Sequence, residues 1–465
     1  MMIEATLSET ARMLGVAPPA SDVRFRGVST DTRSLASGAL FVALTGERFD
    51  GHDYLGQAAH RGAAAALVSR ASNDLPTVQV TDTRQALGRL AAAWRRRFHL
   101  PVIGVTGSNG KTTVKEMLAA ICREGGPTLA TRGNFNNEIG LPLTLLELDA
   151  SHRHAVIEMG ASAAGEIACL AGIARPQIGV ITNSAAAHLE GFGSLEGVIR
   201  AKGELYASLP KTGIAVINND DNGASVWHEL AGERRVVTFG LSAGSHVMPE
   251  VGSVRLELNG GAFSTRFAMR TPEGALEISL ALAGRHNVMN ALAASAAALA
   301  AGMEPGHIVA GLEKVKPVAG RLQLRVGQQG ARVIDDTYNA NPHSLRAAME
   351  VLRDCPGERW LVLGDMAELG ENAEELHAEV GAQARRLGIE RLFTLGDLSR
   401  QAARAFGSGA LHSQHHQALV GSLLHALHSD TTLLVKGSRS MRMEQVVEAL
   451  VLESDRAECH GEGGR

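Results

Sequence analysis

Two rhythms of apolar residues alternate along this chain. Short runs rich in Val and Ile lie at Val102 to Thr106, Ala155 to Glu158, Ile178 to Thr182 and Ile214 to Ile217. Runs of that length and β-branched content predict strands buried on both faces. Between the first two, Val114, Met117, Leu118 and Ile121 fall at i, i+3, i+4 and i+7, one face of a helix. Strands alternating with helices predict a mostly parallel sheet covered on both sides. One stretch breaks this pattern. Val254, Leu256 and Leu258 alternate with polar residues, Asn259-Gly-Gly261 supplies a turn, and Phe263, Thr265 and Phe267 alternate back, which predicts an antiparallel hairpin.

The flanking blocks repeat the strand–helix alternation on a smaller scale. Ala39 to Leu44 and Ala64 to Ser69 read as strands, His52 to Arg61 and Arg84 to Phe98 as helices. The second helix ends in Arg95, Arg96 and Arg97, expected to be a solvated helix end rather than a binding patch. After Pro317, strands are predicted at Val333 to Asp336, Trp360 to Leu363, Leu392 to Leu395 and Leu433 to Val435. Leu345, Ala348, Met349 and Leu352 mark a helix among them. The expected fold is α/β with three domains. A small N-terminal α/β domain spans 1–99, and a central parallel sheet with a small antiparallel patch spans 100–316. A C-terminal Rossmann-like domain spans 317–453. Residues 454–465, rich in Gly and charge, are expected to be disordered. No internal repeat is visible.

Composition narrows the class without choosing a function. A length of 465 residues fits about three domains. With 45% hydrophobic and 20% charged residues the chain is ordinary for a soluble globular enzyme. A net charge of -4 gives no electrostatic case for nucleic acid or an anionic membrane. The N-terminus lacks the basic start and apolar run of a secretory signal, and Ala63 to Val68 is too short to cross a bilayer. Cys122, Cys169, Cys355 and Cys459 have no metal-like spacing and read as reduced thiols of a cytoplasmic protein.

Candidate chemistry begins at Gly107-Ser108-Asn109-Gly110-Lys111-Thr112-Thr113, between the first buried strand and the amphipathic helix. Glycines let backbone N–H groups close around phosphate oxygens, and a helix N-terminus favours negative charge. In such a loop Lys111 reaches the terminal phosphates and the Thr112 hydroxyl coordinates Mg²⁺. Val105 stands where the longer form of this motif has its first glycine. The loop alone predicts nucleoside triphosphate binding and leaves ATPases, kinases, switches and ligases open.

The loop, read with several other stretches, resembles the Mur ligase family. These stretches are Glu158 at a strand end, Asn183 to Gly193 with His188, Ala201 to Glu204 with Lys202, Gly284 to Asn290, Gly320-Arg321 and Asp335-Asp336. Together they span almost the whole chain. The resemblance implies ATP-dependent formation of an amide through an acyl phosphate. It implies Lys111, His188 and Lys202 as catalytic residues. Mg²⁺ would be held by Thr112, Glu158, His188 and, if carbamylated, Lys202. ATP would be contacted by the phosphate loop, by Asn287 and Asn290 at adenine, and by Arg321 and Asp336 at phosphate and ribose. Helix-start polarity is the plainer alternative for Asn287. With ATP ligands on two domains, the third domain is expected to close over the nucleotide and exclude water.

Four local patterns resemble one branch of the family, whose substrates are UDP-N-acetylmuramoyl-tripeptide and D-alanyl-D-alanine. By that likeness Ser29, Thr30, Asp31, Arg33, Gly46, Arg48 and Asp50 belong to a UDP-sugar-binding first domain. Asn134, Asn136 and Asn137 belong to a substrate-facing loop, Asn339 and Asn341 to a further substrate-binding stretch, and Lys436, Ser438 and Arg439 to a loop near the incoming dipeptide. His343 replaces an Asp common in that branch, and Met441 to Glu444 vary slightly. Sister ligases of folylpolyglutamate or third-residue-adding type, and a P-loop switch, are the alternatives. The Asp-Asn-Pro-Arg motif of the third-residue-adding ligase is absent. Only small-molecule partners and a monomer are expected.

Overall fold

A computed structural model describes residues 2–46, 49–185, 189–259 and 262–452. The predicted hairpin turn at 260–261, the tail from 453, Arg48 and His188 lie outside the described residues.

The central sheet has six parallel strands in the order Arg235–Phe239, Ile214–Asn218, Ile178–Ile181, Val102–Thr106, His154–Glu158 and Thr128–Ala130. Val102–Thr106 sits in its interior and is buried throughout. Each Val or Ile buried this way contributes roughly 1.5–3 kcal/mol, which outweighs local propensity over so short a segment. The helix Lys111–Glu124 follows directly and turns Val114, Met117, Leu118 and Ile121 inward, as their spacing predicts. Beside this sheet, Arg255–Asn259 and Ala262–Thr271 pair antiparallel with Leu258 opposite Phe263, and Gly274–Leu280 adds to the same patch.

The third block is another six-stranded sheet. Its strands Arg332–Asp336, Thr431–Lys436, Glu358–Gly364, Arg391–Leu395 and Ala410–Ser413 run parallel, and only the edge strand Gln323–Val326 is antiparallel. The first block holds four short parallel strands, Val28–Ser29, Leu40–Val42, Ala65–Val68 and Thr77–Gln79. It also carries a helix, Leu7–Leu14, opened by a Thr6–Glu9 capping box that contributes about 1 kcal/mol.

The three blocks are joined differently. Leu7, Leu40, Leu67 and Leu90 of the first block share one apolar cluster with Leu145, Leu170 and Leu205 of the central block. The third block has apolar clusters of its own, and one of them takes in Phe263 and Ala283 beside Val351 and Leu345. The antiparallel patch is therefore the pad on which the third block rests. Arg95 departs from its expectation. It is 4% exposed, and its guanidinium donates to the carbonyls of Ala174, Phe98 and Leu100 at 3.1, 2.6 and 3.5 Å. Arg96 and Arg97 are exposed as expected. Arg95 pins a helix end between two blocks because carbonyls buried there need a donor.

Candidate active site

The carboxyl ends of the parallel strands in the central and third blocks face each other across a cavity of about 750 Å³. Loops at that edge carry ligand groups in open α/β sheets. Ten of the expected residues of the central block line it (Ser108 to Thr113, Asn136, Glu158, Asn287 and Asn290), and so do Arg321, Asp336, Asn339, Asn341, Lys436, Ser438 and Arg439 of the third.

The phosphate loop is shaped by two glycines. Gly107 has φ 145° and abuts the Thr182 hydroxyl; Gly110 has φ 78° and abuts the Asn290 carboxamide, so neither position accepts a side chain. Gly110 is the N-cap of Lys111–Glu124 and no side chain caps that end, which leaves its N–H groups turned to the cavity. Lys111 Nζ folds back onto the carbonyls of Gly107 and Ser108 at 2.7 and 3.2 Å. Burial lowers its pKa, nearby Glu158 opposes that shift, and Arg321 adds to it.

Glu158 ends its strand at 1% exposure. Its Oε1 accepts from Asn136 Nδ2 at 2.8 Å and lies 3.4 Å from the Thr112 hydroxyl. Oε2 is buried without a partner among the described residues. A buried carboxylate oxygen left open beside a phosphate loop and a threonine hydroxyl fits a hard divalent cation. Mg²⁺ keeps several waters and phosphate oxygens and needs only one or two protein donors. Among the described residues no cluster of three His, Cys, Asp or Glu could hold a metal.

Arg321 crosses from the third block, and its Nη2 donates to Thr112 Oγ1 at 3.2 Å. Its guanidinium stacks 4.3 Å from the Tyr338 ring centroid, and its Nε has no partner among the described residues. The next residue, Leu322, has φ 49°, a left-handed backbone that costs about 1–2 kcal/mol for a side-chain-bearing residue. Asp336 Oδ1 accepts the Leu322 N–H at 3.2 Å, and Asp336 Oδ2 accepts Lys436 Nζ at 2.6 Å. Asp336 thus holds the bend that aims Arg321, while burial raises its own pKa against the opposing charge of Lys436.

Asn287 and Asn290 lie on one face of the helix Arg285–Ala300. Asn287 Nδ2 donates to the Ala283 carbonyl at 2.7 Å, and Asn290 Nδ2 donates to Asn287 Oδ1 at 3.0 Å. Asn287 therefore has a helix-start partner, and both side chains line the cavity. Ser438 is 2% exposed; its hydroxyl accepts from Ala367 N at 2.7 Å and ties two loops together.

Lys202 lies outside the cavity wall, 2% exposed. Its Nζ donates to the Ala161 carbonyl at 3.3 Å and sits 5.1 Å from the Phe192 ring centroid. Burial, helped by the charge of Lys111, pulls its pKa down to about 7, and Glu166 and Glu204 pull the other way. The first-block residues are also away from this cavity. Asp31 pairs with Arg33 at 2.7 Å, and Ser29 caps the turn between them. Asp50 accepts from His52 Nδ1 at 2.6 Å; the Ser69 N–H donates to His52 Nε2, which assigns the proton to Nδ1. Thr30 and Gly46 flank these pairs. Arg84 reaches both Glu138 and the Thr45 carbonyl, linking this region to the loop of Asn134 and Asn137. Asn137 Oδ1 caps Gly140–Leu145 at 2.9 Å from Gly140 N.

Two features of the site escaped the sequence reading. The segment after Ile178–Ile181 is laced to the phosphate loop: Asn109 N donates to Asn183 Oδ1, Asn183 Nδ2 donates to the Asn109 carbonyl, and Ala185 N donates to Ser108 Oγ. Asp221 anchors the same segment through Ser184 N at 2.7 Å. Asp220-Asp221 stands just past the end of the buried strand Ile214–Asn218, and that placement is the signal that marks it. The second is His286, whose pKa falls to about 4 through burial, then Lys436, then His343.

Similarity to known proteins covers the same ground. Three family descriptions match: "Mur ligase family, catalytic domain" at 24–95, "Mur ligase middle domain" at 105–298, and "Mur ligase, glutamate ligase domain" at 320–439. The chain is 45% identical over 452 residues to the UDP-N-acetylmuramoyl-tripeptide--D-alanyl-D-alanine ligase of Escherichia coli, covering 97% of this chain and 99% of that one. A crystal structure of MurF from Acinetobacter baumannii superposes with a TM-score of 0.89 at 34% identity, over 96% of this chain and 98% of that one. The MurF ligase of Thermotoga maritima, solved with ADP, has a TM-score of 0.80 at 28% identity, over 91% and 96%.

Proposed function

The chain belongs to the Mur ligase family, and from that premise we infer that it joins D-alanyl-D-alanine to UDP-N-acetylmuramoyl-tripeptide, driven by ATP. The products are UDP-N-acetylmuramoyl-pentapeptide, ADP and phosphate, a step of peptidoglycan precursor synthesis on which cell wall growth, shape and division depend. The observation that carries this reading is likeness along the whole length to ligases of that one activity.

The chemistry follows from the cavity. A carboxylate oxygen of the tripeptide attacks the γ-phosphorus of ATP, the bond to the β-phosphate oxygen breaks, and ADP leaves an acyl phosphate. The dipeptide amine then attacks the carbonyl carbon; the tetrahedral intermediate expels phosphate and the amine loses its proton. Lys111 would leave its loop carbonyls for the phosphates, and Arg321, with an open Nε, would neutralise charge on the transferred group. Gly107 to Thr113 would supply backbone donors, and Asn287, Asn290 and Asp336 would bound the nucleoside. When bound, Mg²⁺ supplies charge neutralisation between phosphate and carboxylate; Thr112 and Glu158 would hold it, with His188 as a further ligand. Lys202, half neutral near pH 7 by its depressed pKa, is suited to carbamylation: its amine attacks CO₂, loses a proton, and ends as an anionic oxygen donor. Asn339, Lys436, Ser438 and Arg439 would receive the dipeptide, whereas the Asn341 side chain is held by Asn109 and Ser344. The linked pairs around Ser29, Thr30, Asp31, Arg33, Gly46, Arg48 and Asp50, with Asn134, Asn136 and Asn137, would receive the UDP-sugar peptide. The enzyme would act as a cytoplasmic monomer with domains at 1–99, 100–316 and 317–453.

The test is phosphate release with ATP, Mg²⁺, UDP-N-acetylmuramoyl-tripeptide and D-alanyl-D-alanine, omitting each in turn. Release that needs all four, with a pentapeptide product, is expected. Release indifferent to the dipeptide or the sugar peptide would contradict the reading.

A further inference from the structure

Besides the Arg321–Thr112 contact, a second side-chain hydrogen bond joins the third block to the phosphate loop: Asn341 Nδ2 donates to Asn109 Oδ1 at 2.8 Å, between residues 232 apart in sequence. A carboxamide is ambidentate, so its orientation matters as much as its place. Here the orientation can be traced from a backbone donor. The Ser344 N–H donates to Asn341 at 2.8 Å in a capping box at the start of Pro342–Arg353, so the atom it meets is the Asn341 oxygen. The other terminus of Asn341 is then its NH₂, and its partner on Asn109 must be an acceptor, Oδ1. That leaves Asn109 Nδ2 as the remaining group, buried and without a partner among the described residues, on a residue lining the cavity.

The Asn109 backbone has no freedom to compensate. Its N–H is held by Asn183 Oδ1 at 3.0 Å, and its carbonyl accepts from Thr182 Oγ1 at 2.6 Å and Asn183 Nδ2 at 3.1 Å. Only rotation of the carboxamide is open, and rotation by half a turn would present an oxygen where an NH₂ now stands. An oxygen there repels phosphate; an NH₂ donates to it.

We propose that Asn341 is a positioning residue that fixes the carboxamide of Asn109 with its NH₂ toward the ATP phosphates, so the phosphate loop becomes fully donating only when the third block is docked. This rests on the ATP-dependent ligation inferred above. It differs from a direct dipeptide contact for Asn341, because both termini of the Asn341 side chain are already engaged by the protein.

The test is a double-mutant cycle in full-length protein, read by phosphate release with all four reactants. Asn341→Ser keeps a competent N-cap and removes the donor, so the unfolding temperature should stay close to wild type, and circular dichroism checks this. In wild type the substitution should lower kcat/KM for ATP about tenfold, the size of one neutral hydrogen bond lost to a transition state. KM for D-alanyl-D-alanine should stay within about twofold. In an Asn109→Ala background the same substitution should have almost no effect, since the group it orients is gone. Equal loss in both backgrounds, a rise confined to the dipeptide KM, or no loss in wild type would each overturn the proposal. Asn341→Asp gives a second reading: it also caps the helix but can only accept, so it draws the Asn109 NH₂ away and should be at least as harmful as Asn341→Ser in wild type. A mild effect there would count against the orientation argument. If the wild-type protein itself released no phosphate, the ligase reading would fall instead, and the two failures stay distinct.

Discussion

Glu158→Gln exchanges one buried oxygen for an NH₂ and leaves the side-chain shape unchanged. The amide oxygen can keep the 2.8 Å bond from Asn136 Nδ2, so the loop carrying Asn136 stays anchored. What disappears is one negative charge and the acceptor Oε2, which has no protein partner. In the ligand-free protein these losses nearly cancel. The neutral amide is cheaper to bury than the unpaired charge by about 1–3 kcal/mol, and the lost attraction of Glu158 for Lys111 is of similar size, so the unfolding temperature should move by no more than about 3 °C. With ATP and a divalent cation the balance differs. Two unit charges about 4 Å apart attract by roughly 4 kcal/mol at an effective dielectric near 20, and water or phosphate oxygens recover part of it. A remaining loss of about 3 kcal/mol lowers turnover by roughly 10²-fold. The assay is phosphate release over a Mg²⁺ titration, paired with calorimetry on the same samples. Turnover within about threefold of wild type at every Mg²⁺ level would refute a metal role for Glu158. A large fall in unfolding temperature would show the carboxylate to be a structural group instead.

Three further outcomes are expected. Lys111→Ala should abolish turnover while leaving the unfolding temperature near wild type, because among the described residues its amine bonds to the Gly107 and Ser108 carbonyls; activity within a few-fold would contradict the phosphate-loop role. Carbamylation of Lys202, followed by ¹³C NMR at fixed CO₂ pressure, should fall as pH drops from 8 to 6. With the folded pKa near 7 the reactive neutral amine is about half populated at pH 7 and about a tenth at pH 6. A carbamate signal flat across that range would contradict the assignment. Arg95→Ala should cost about 2–3 kcal/mol, since it strips donors from the carbonyls of Ala174, Phe98 and Leu100; calorimetry showing less than about 1 °C of change would refute it.

The parts legible in sequence were those whose cause is local. Buried parallel strands announce themselves as short β-branched runs, and the phosphate loop shows because glycine, lysine and threonine must follow one another along the chain. The Thr6–Glu9 capping box is equally local, a Thr-x-x-Glu at the start of Leu7–Leu14. Arg95 misled because three arginines at a helix end look alike until a neighbouring block arrives to bury one of them. The contacts of Asn109 with Asn183 and Asn341, of Ser184 with Asp221, and of Arg321 with Thr112 join residues that no spacing relates. They exist only because strand ends from separate sheets converge on one cavity.

The pad formed by Phe263 and Ala283 against Val351 and Leu345 has a thermal consequence. Any swing of the third block away from the centre must wet this apolar contact, whereas the first block shares its cluster with the centre and cannot swing without unfolding part of it. Wetting apolar surface raises heat capacity, and the tendency to avoid it weakens on cooling. The resting balance between open and shut forms should therefore tilt toward open in the cold. Nucleotide affinity measured across temperature should curve, with a negative heat-capacity change that Phe263→Ala makes smaller.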